Sequence, residues 1–202
     1  MDILTEIGLK CSTDKAVNHH FTQIYNEKLS NFRNTYTSIL EIGVFLGQSL
    51  RMWKEYFPKA TIYGFDIEDR KYLQEDRIVI EQGDQTDINF LQSVFNGVEF
   101  DLIIDDGGHT MLQQQVSIVN IFNRLKSGGI YILEDLHTSL LETKTESTTL
   151  SLLKDIKNIN CSDYKNFYVT EEQILNLKNQ IEFCEVYSTN NGQSITSYIV
   201  KK

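Results

Sequence analysis

The chain has 202 residues, with 19 Lys and Arg against 28 Asp and Glu for a formal net charge of -9; that length suits one domain with a substantial core, and the acidic balance argues against a nucleic-acid partner, whose phosphates demand clustered cations. No charged-then-apolar leader opens the sequence and no apolar run approaches the roughly 18 residues of a membrane span, so a soluble, cytoplasmic protein is expected. Cys11, Cys161 and Cys184 are scattered without a C-x-x-C, which supports neither a disulfide framework nor a zinc knuckle.

Residues 1–36 are expected to form an N-terminal helical cap on a core of residues 37–202, with Val17 to Phe32 reading as a helix able to cover one edge of a cleft. Short apolar runs then predict strands at Ser38 to Gly43, Thr61 to Ile67, Ile78 to Gly83, Phe100 to Asp105 and Gly129 to Leu133. Helical spacing fills the gaps at Gly47 to Phe57, Asp87 to Phe95 and Thr110 to Leu125. In the last of these, Val116, Val119, Ile121, Phe122 and Leu125 form the stripe to be buried. Strands alternating with helices predict a parallel, doubly wound sheet with helices on both faces. After Leu136 the pattern changes: a polar lid from Thr138 to Ser147, helices from Thr148 to Ile159 and Glu171 to Lys178, then strands at Ile181 to Ser188 and Ser194 to Val200. Thr189-Asn190-Asn191-Gly192-Gln193 joins the last two, and its Asn-Gly favours a tight turn. The whole reads as a seven-stranded α/β sheet, mostly parallel and closed by an antiparallel hairpin.

The first strand ends in Glu41-Ile42-Gly43-Val44-Phe45-Leu46-Gly47-Gln48-Ser49. Two glycines four apart form a turn where a nucleoside can lie against bare backbone. The third glycine of a dinucleotide fingerprint and the lysine of a P-loop are both missing. Glu41 would repel a phosphate, but it suits a cofactor that carries positive charge, such as the ammonium and sulfonium of S-adenosylmethionine. Ligands in such sheets bind at the carboxyl ends of the strands, and this chain places an acid at each one. Asp66 can accept both hydroxyls of a ribose or merely cap a helix; Asp84 can reach the amine of adenine or cap the helix near Asp87.

The densest constellation is Asp105-Asp106-Gly107-Gly108-His109 followed by Glu134-Asp135. If those strands are neighbours their ends lie about 5 Å apart, so Asp106, Glu134 and Asp135 can converge. Three carboxylates repel unless protonated or bound to a cation, and an all-oxygen set suits Mg²⁺. His109, on the same turn, can take a proton from a hydroxyl acidified by the metal, or it can cap the helix at Thr110. The facial triad of a non-haem iron hydroxylase wants two histidines, and only His109 belongs to this cluster. His19, His20 and His137 have surface or gating roles by default.

Taken together, Glu41-Ile42-Gly43-Val44, Asp106-Gly107-Gly108-His109 and Glu134-Asp135 resemble the metal-dependent sugar O-methyltransferases of macrolide glycosides and the related rhamnosyl O-methyltransferase, or cephalosporin-hydroxylase-like, group. Ser12-Thr13-Asp14-Lys15 and His20-Phe21-Thr22-Gln23-Ile24-Tyr25 are similar to that family's N-terminal signature. The resemblance covers roughly residues 10 to 140, and the large N-terminal domain of the macrolide enzymes is expected to be lacking. It implies a Rossmann-like class I methyltransferase fold, with Asp106, Glu134 and Asp135 holding Mg²⁺ and His109 as general base. Glu41 and Gly43 would line the methionine end of S-adenosylmethionine, Asp66 the ribose, and Asp84 with Gln85 the adenine. Thr13 and Tyr25 would help close the pocket, and Gly47, Ser49 and Asp105 complete the cofactor set. The expected reaction is methyl transfer to a sugar hydroxyl of a glycan or glycosylated natural product, in a protein that admits a homo-oligomer. A metal-independent small-molecule methyltransferase and a non-catalytic adenosylmethionine-binding subunit are the alternatives.

Overall fold

A computed structural model of the chain describes residues 1–141, 148–158 and 167–202. The N-terminal segment carries three short helices, α1 (Ile3–Cys11), α2 (Asp14–Val17) and α3 (Phe21–Leu29). Periodicity alone runs Val17 to Phe32 together and gives no prominence to α1. The break comes where the N–H groups of Asn18 and His19 both fold back on the Asp14 carbonyl, at 2.8 and 2.9 Å. His20 then takes a left-handed φ of 55° before α3 begins. At α1 the Asp2 carboxylate accepts from the Thr5 N–H at 2.9 Å, a side-chain cap on a helix too short to be stable alone.

The core follows as β1 (Ser38–Ile42), α4 (Gln48–Tyr56), β2 (Thr61–Asp66), β3 (Ile78–Gln82), α5 (Ile88–Ser93), β4 (Phe100–Asp105), α6 (Met111–Ile121) and β5 (Leu125–Leu133). It ends with α7 (Thr149–Asp155), α8 (Glu171–Gln180), β6 (Ile181–Thr189) and β7 (Ser194–Lys201). Caps set the helix boundaries: Asp87 accepts from Asn89 and Phe90, and Thr110 pairs with Gln113 in a capping box. Leu125, expected to close a helix, instead opens β5, which reaches back through a register shift against Phe100. Of the expected lid, residues 142–147 lie outside the described residues, as does 159, the last residue of the helix expected from Thr148. The link between β6 and β7 is a short turn with Asn190, Asn191 and Gly192 all at positive φ.

The seven strands are ordered β3-β2-β1-β4-β5-β7-β6. β1 to β5 run parallel, and β7 is antiparallel to both β5 and β6. This is the mostly parallel sheet with a C-terminal hairpin that the alternation predicts. The chain winds outward from β1 to β3 and returns to β4, so the order reverses between β1 and β4. Ligand crevices open at such a switch point.

Each strand sends alternate residues to opposite faces. Ile39, Leu102, Ile104, Ile130 and Ile132 pack with Leu4 and Ile7 of α1, Phe21, Tyr25 and Leu29 of α3, and Trp53 of α4. Leu40, Ile103, Tyr131 and Leu133 pack on the other face with α5, α6, α7 and α8. The acids at the strand ends follow this alternation, so Glu41 and Glu134 fall on the face covered by α1 to α4, and Asp105 on the face covered by α6.

Gly43 sits at φ 88°, and a side chain there would collide with the Asp106 carbonyl. Gly128, at φ 73°, has open space where a side chain would begin, with no atom within 4 Å. Gly128→Ala is therefore expected to cost only the left-handed penalty of about 1–2 kcal/mol, and Gly43→Ala clearly more. Urea midpoints at unchanged m-value read the difference, and equal losses would refute the close packing of these two strand ends.

Candidate active site

The glycine turn after β1 is held from the side. The Gly43 N–H donates to the Phe65 carbonyl at 2.9 Å, and the Asp66 Oδ2 accepts from the N–H groups of Val44 and Phe45, both at 2.9 Å. The Asp66 Oδ1 takes the Glu68 N–H at 2.9 Å. Burial alone would raise this carboxyl, but the three backbone donors hold it below the usual range. Asp66 thus fixes the turn as well as lining the cavity, and Oδ1, which accepts only from Glu68, keeps a lone pair for a ligand hydroxyl. Phe45 is left-handed at φ 49° and 65% exposed. The Arg70 guanidinium lies 6.0 Å from its ring, so Phe45 and Arg70 form a wall that no motif in the sequence marks.

The cavity starting at this turn has a volume of about 650 Å³. Thr13, Gly43, Ser49, Asp66, Asp84 and Gln85 line it, together with Asp106, His109 and Asp135. Gly47, Tyr25, Glu41, Asp105 and Glu134 stand outside this lining. Gly47 turns the chain into α4. Asp84 accepts from the N–H and hydroxyl of Thr86 at 2.7 and 2.8 Å, while Asp87 caps α5. Gln85 is buried and committed at both ends, donating to Asp105 Oδ1 at 3.3 Å and accepting from the Gly108 N–H at 2.5 Å. Asp105 itself lies beneath the sheet end, accepting from Tyr131 at 2.8 Å and from Ser117. Gln85 and Asp105 therefore brace the Gly107-Gly108 turn from behind.

That brace presents Asp106 and His109, and the end of β5 brings Asp135 beside them. Among the described residues, Asp106, His109 and Asp135 offer ligand atoms all within 4.8 Å of one another. His109 Nε2 is 3.5 Å from Asp135 Oδ2. Because Thr110 and Gln113 cap α6, His109 is not needed as the cap. Asp135 has a left-handed φ of 54°, and its Oδ1 is buried without a hydrogen bond among the described residues. His19 Nδ1 and His137 Nδ1 stand 3.8 and 3.7 Å from that oxygen, too far to satisfy it. A buried carboxylate oxygen without a donor, beside a second carboxylate, fits a hard cation.

Glu134 is turned the other way. Its Oε1 accepts from the Tyr25 hydroxyl at 3.0 Å and its Oε2 from Lys15 Nζ at 3.0 Å. Tyr25 therefore orients Glu134, itself held by Thr196 at 2.9 Å. Lys15 is fully buried; its ammonium also pairs with Asp106 and lies 3.3 Å from Glu41 Oε1. Glu41 Oε2 accepts from Ser49 at 2.8 Å. Burial would lower the Lys15 ammonium, but Asp106, Glu134 and Glu41 outweigh it and keep it charged. One ammonium does not neutralise three carboxylates. Burial pushes Glu41 up to about 7, and burial with mutual repulsion raises Asp106 and Glu134. Lys15 was visible only as part of the Ser12–Lys15 signature; nothing in the sequence marks a lysine for complete burial.

No protein-family model matches the chain. It is 35% identical over 170 residues to the mycinamicin VI 2''-O-methyltransferase of Micromonospora griseorubida, covering 76% of this chain and 43% of that protein. It is 35% identical over 144 residues to the 8-demethyl-8-alpha-L-rhamnosyl tetracenomycin-C 2'-O-methyltransferase of Streptomyces olivaceus, covering 67% and 38%. The MycE methyltransferase from the mycinamycin biosynthetic pathway, solved with Mg, SAH and mycinamycin VI, superposes with a TM-score of 0.81 at 30% identity, over 99% of this chain and 54% of MycE. The chain is a class I methyltransferase fold homologous to these sugar O-methyltransferases. It spans less than half the length of these curated relatives. The fold alone is shared far more widely: a fibrillarin pre-rRNA processing protein of Methanococcus jannaschii has a TM-score of 0.57 at 13% identity. Among the described residues of this methyltransferase homologue, no helix is long and apolar enough to cross a membrane.

Burial raises the Asp105 carboxyl from 3.8 to about 6. Between about pH 4 and 6 the folded chain keeps a proton that the unfolded chain has lost, so this stabilisation is present at low pH and lost as pH rises. Relative to Asp105→Asn, the parent protein should lose on the order of 3 kcal/mol across that window. Paired urea titrations from acid to neutral pH measure it, and a constant difference between the two proteins would contradict the buried placement.

Proposed function

We propose that this chain transfers a methyl group from S-adenosylmethionine to a sugar hydroxyl with the help of a divalent cation, Mg²⁺. The observation that carries the reading is the Asp106, His109 and Asp135 cluster in the same cavity as the Gly43 turn. The relatives named above support it through what they bind and methylate. Glycosylated natural products are the substrate class the relatives favour.

Gly43, Ser49, Asp66 and Asp84 would cradle the cofactor, whose sulfonium supplies an electrophilic methyl group when bound. Asp106 and Asp135 would hold the cation, which supplies positive charge that makes a neighbouring hydroxyl more acidic. Mg²⁺ takes oxygen in preference to imidazole, which leaves His109 Nε2 to accept the hydroxyl proton. Asp135 Oδ2 stabilises the imidazolium so formed. Glu134, held by Lys15 and Tyr25, supports Asp106 from behind and stands ready as a further oxygen donor.

His109→Ala is expected to lower kcat by about 10²–10⁴ with little change in cofactor affinity, read by methyl incorporation from labelled S-adenosylmethionine into a panel of glycosides. Excess EDTA should abolish turnover and Mg²⁺ restore it. Full activity in EDTA, or in folded Asp106→Ala and His109→Ala variants, would sink the proposal. Cofactor binding without transfer to any acceptor in the panel would favour the non-catalytic alternative.

A further inference from the structure

Among the described residues, Lys15 is the one that touches carboxylates at three strand ends. Its side chain has no solvent exposure, and its ammonium reaches Glu41 near the end of β1 at 3.3 Å, Asp106 just beyond β4, and Glu134 just beyond β5 at 3.0 Å. The lysine arrives on α2, from the N-terminal segment rather than from the sheet. Asp106 gives its Oδ2 to Lys15, while its Oδ1 has no hydrogen bond among the described residues and belongs to the side chain grouped with His109 and Asp135. Glu134 accepts one hydrogen bond on each oxygen, from Lys15 and from Tyr25. The same carboxylate thus serves two cations: a resident one from inside the fold and a second one from the cavity.

We propose that Lys15 is a positioning residue, a built-in counter-cation that assembles the carboxylates of the cofactor and metal ends of the site before any metal arrives, and that lowers the affinity for that metal. The physical reason is that buried carboxylates without a counter-charge drive one another apart or take up protons. A permanent ammonium keeps them together. It also subtracts one positive charge from what the cluster can still attract, so the divalent ion binds a preformed site and remains exchangeable. The inference rests on the metal reading above, in that it takes Asp106 as a ligand.

The test compares the unmodified protein with Lys15→Gln, which keeps a donor toward Asp106 and removes the charge. Mn²⁺ titration followed by electron paramagnetic resonance, and thermal unfolding in EDTA and in millimolar Mg²⁺, need no acceptor. Lys15→Gln should bind Mn²⁺ at least about tenfold more tightly, because a like charge has left the neighbourhood of the ion. It should also unfold several degrees earlier in EDTA and recover most of that loss in Mg²⁺. Equal or weaker Mn²⁺ binding, or the same thermal loss with and without Mg²⁺, overturns the inference while the metal reading stands. Absence of Mn²⁺ binding by either protein removes the metal reading, and the inference with it. Should Lys15→Gln fail to fold in both conditions, the unmodified protein decides. A shift of no more than about 3 °C between EDTA and Mg²⁺, roughly 1 kcal/mol for a chain of this size, is the expected result. A larger shift would mean that the metal, and not Lys15, is the cation the fold requires.

Discussion

Everything at the carboxyl end of the sheet depends on burying more negative charge than the described residues neutralise. Glu41, Asp106 and Glu134 meet a single ammonium, that of Lys15, and Asp135 lies against histidines just beyond. Taking a carboxylate out of water is costly unless it gains a partner of opposite charge and a full set of hydrogen bonds. Glu134 gains the charge from Lys15 and a donor on each oxygen from Lys15 and Tyr25. Asp135 has neither for its Oδ1, and that deficit is what a cation from solvent would correct.

Strand alternation decides which acid does which job. Asp105 and Asp106 are neighbours in sequence but fall on opposite sides of the sheet end. Asp105 meets Ser117, Tyr131 and Gln85 and becomes part of the scaffold, whereas Asp106 meets Lys15 and faces the cavity. Glu134 and Asp135 divide in the same way, the first toward Tyr25 of α3 and the second toward His109. Two adjacent acid pairs, each split by the period of a β-strand, yield one inner set that organises and one outer set available for chemistry.

The N-terminal helices are consequently part of the site. Leu4, Phe21 and Tyr25 pack in the same core as Trp53 and the strands, and that packing delivers Lys15 and Tyr25 to the carboxylates. Thr13 lines the cavity two residues before Lys15. Hydrophobic docking on one face of the sheet and charge neutralisation at its end therefore reinforce each other, and a change in either is felt at both.

The sequence by itself determined the alternation of strands and helices, the antiparallel closure, the glycine turn and the row of acids at the strand ends. These are local properties, fixed by apolar period, by glycine and by where each apolar run stops. Its resemblance to the sugar O-methyltransferases rested on the same short motifs. Only the tertiary structure decided the partners. It turned Gln85 and Asp105 into a brace, directed Tyr25 and Glu134 toward each other, gathered His19 and His137 around Asp135, and placed Lys15 at the centre. Those assignments depend on which faces meet across residues as far apart as 15 and 134. No spacing along the chain encodes that, because burial and pairing are properties of the packed whole.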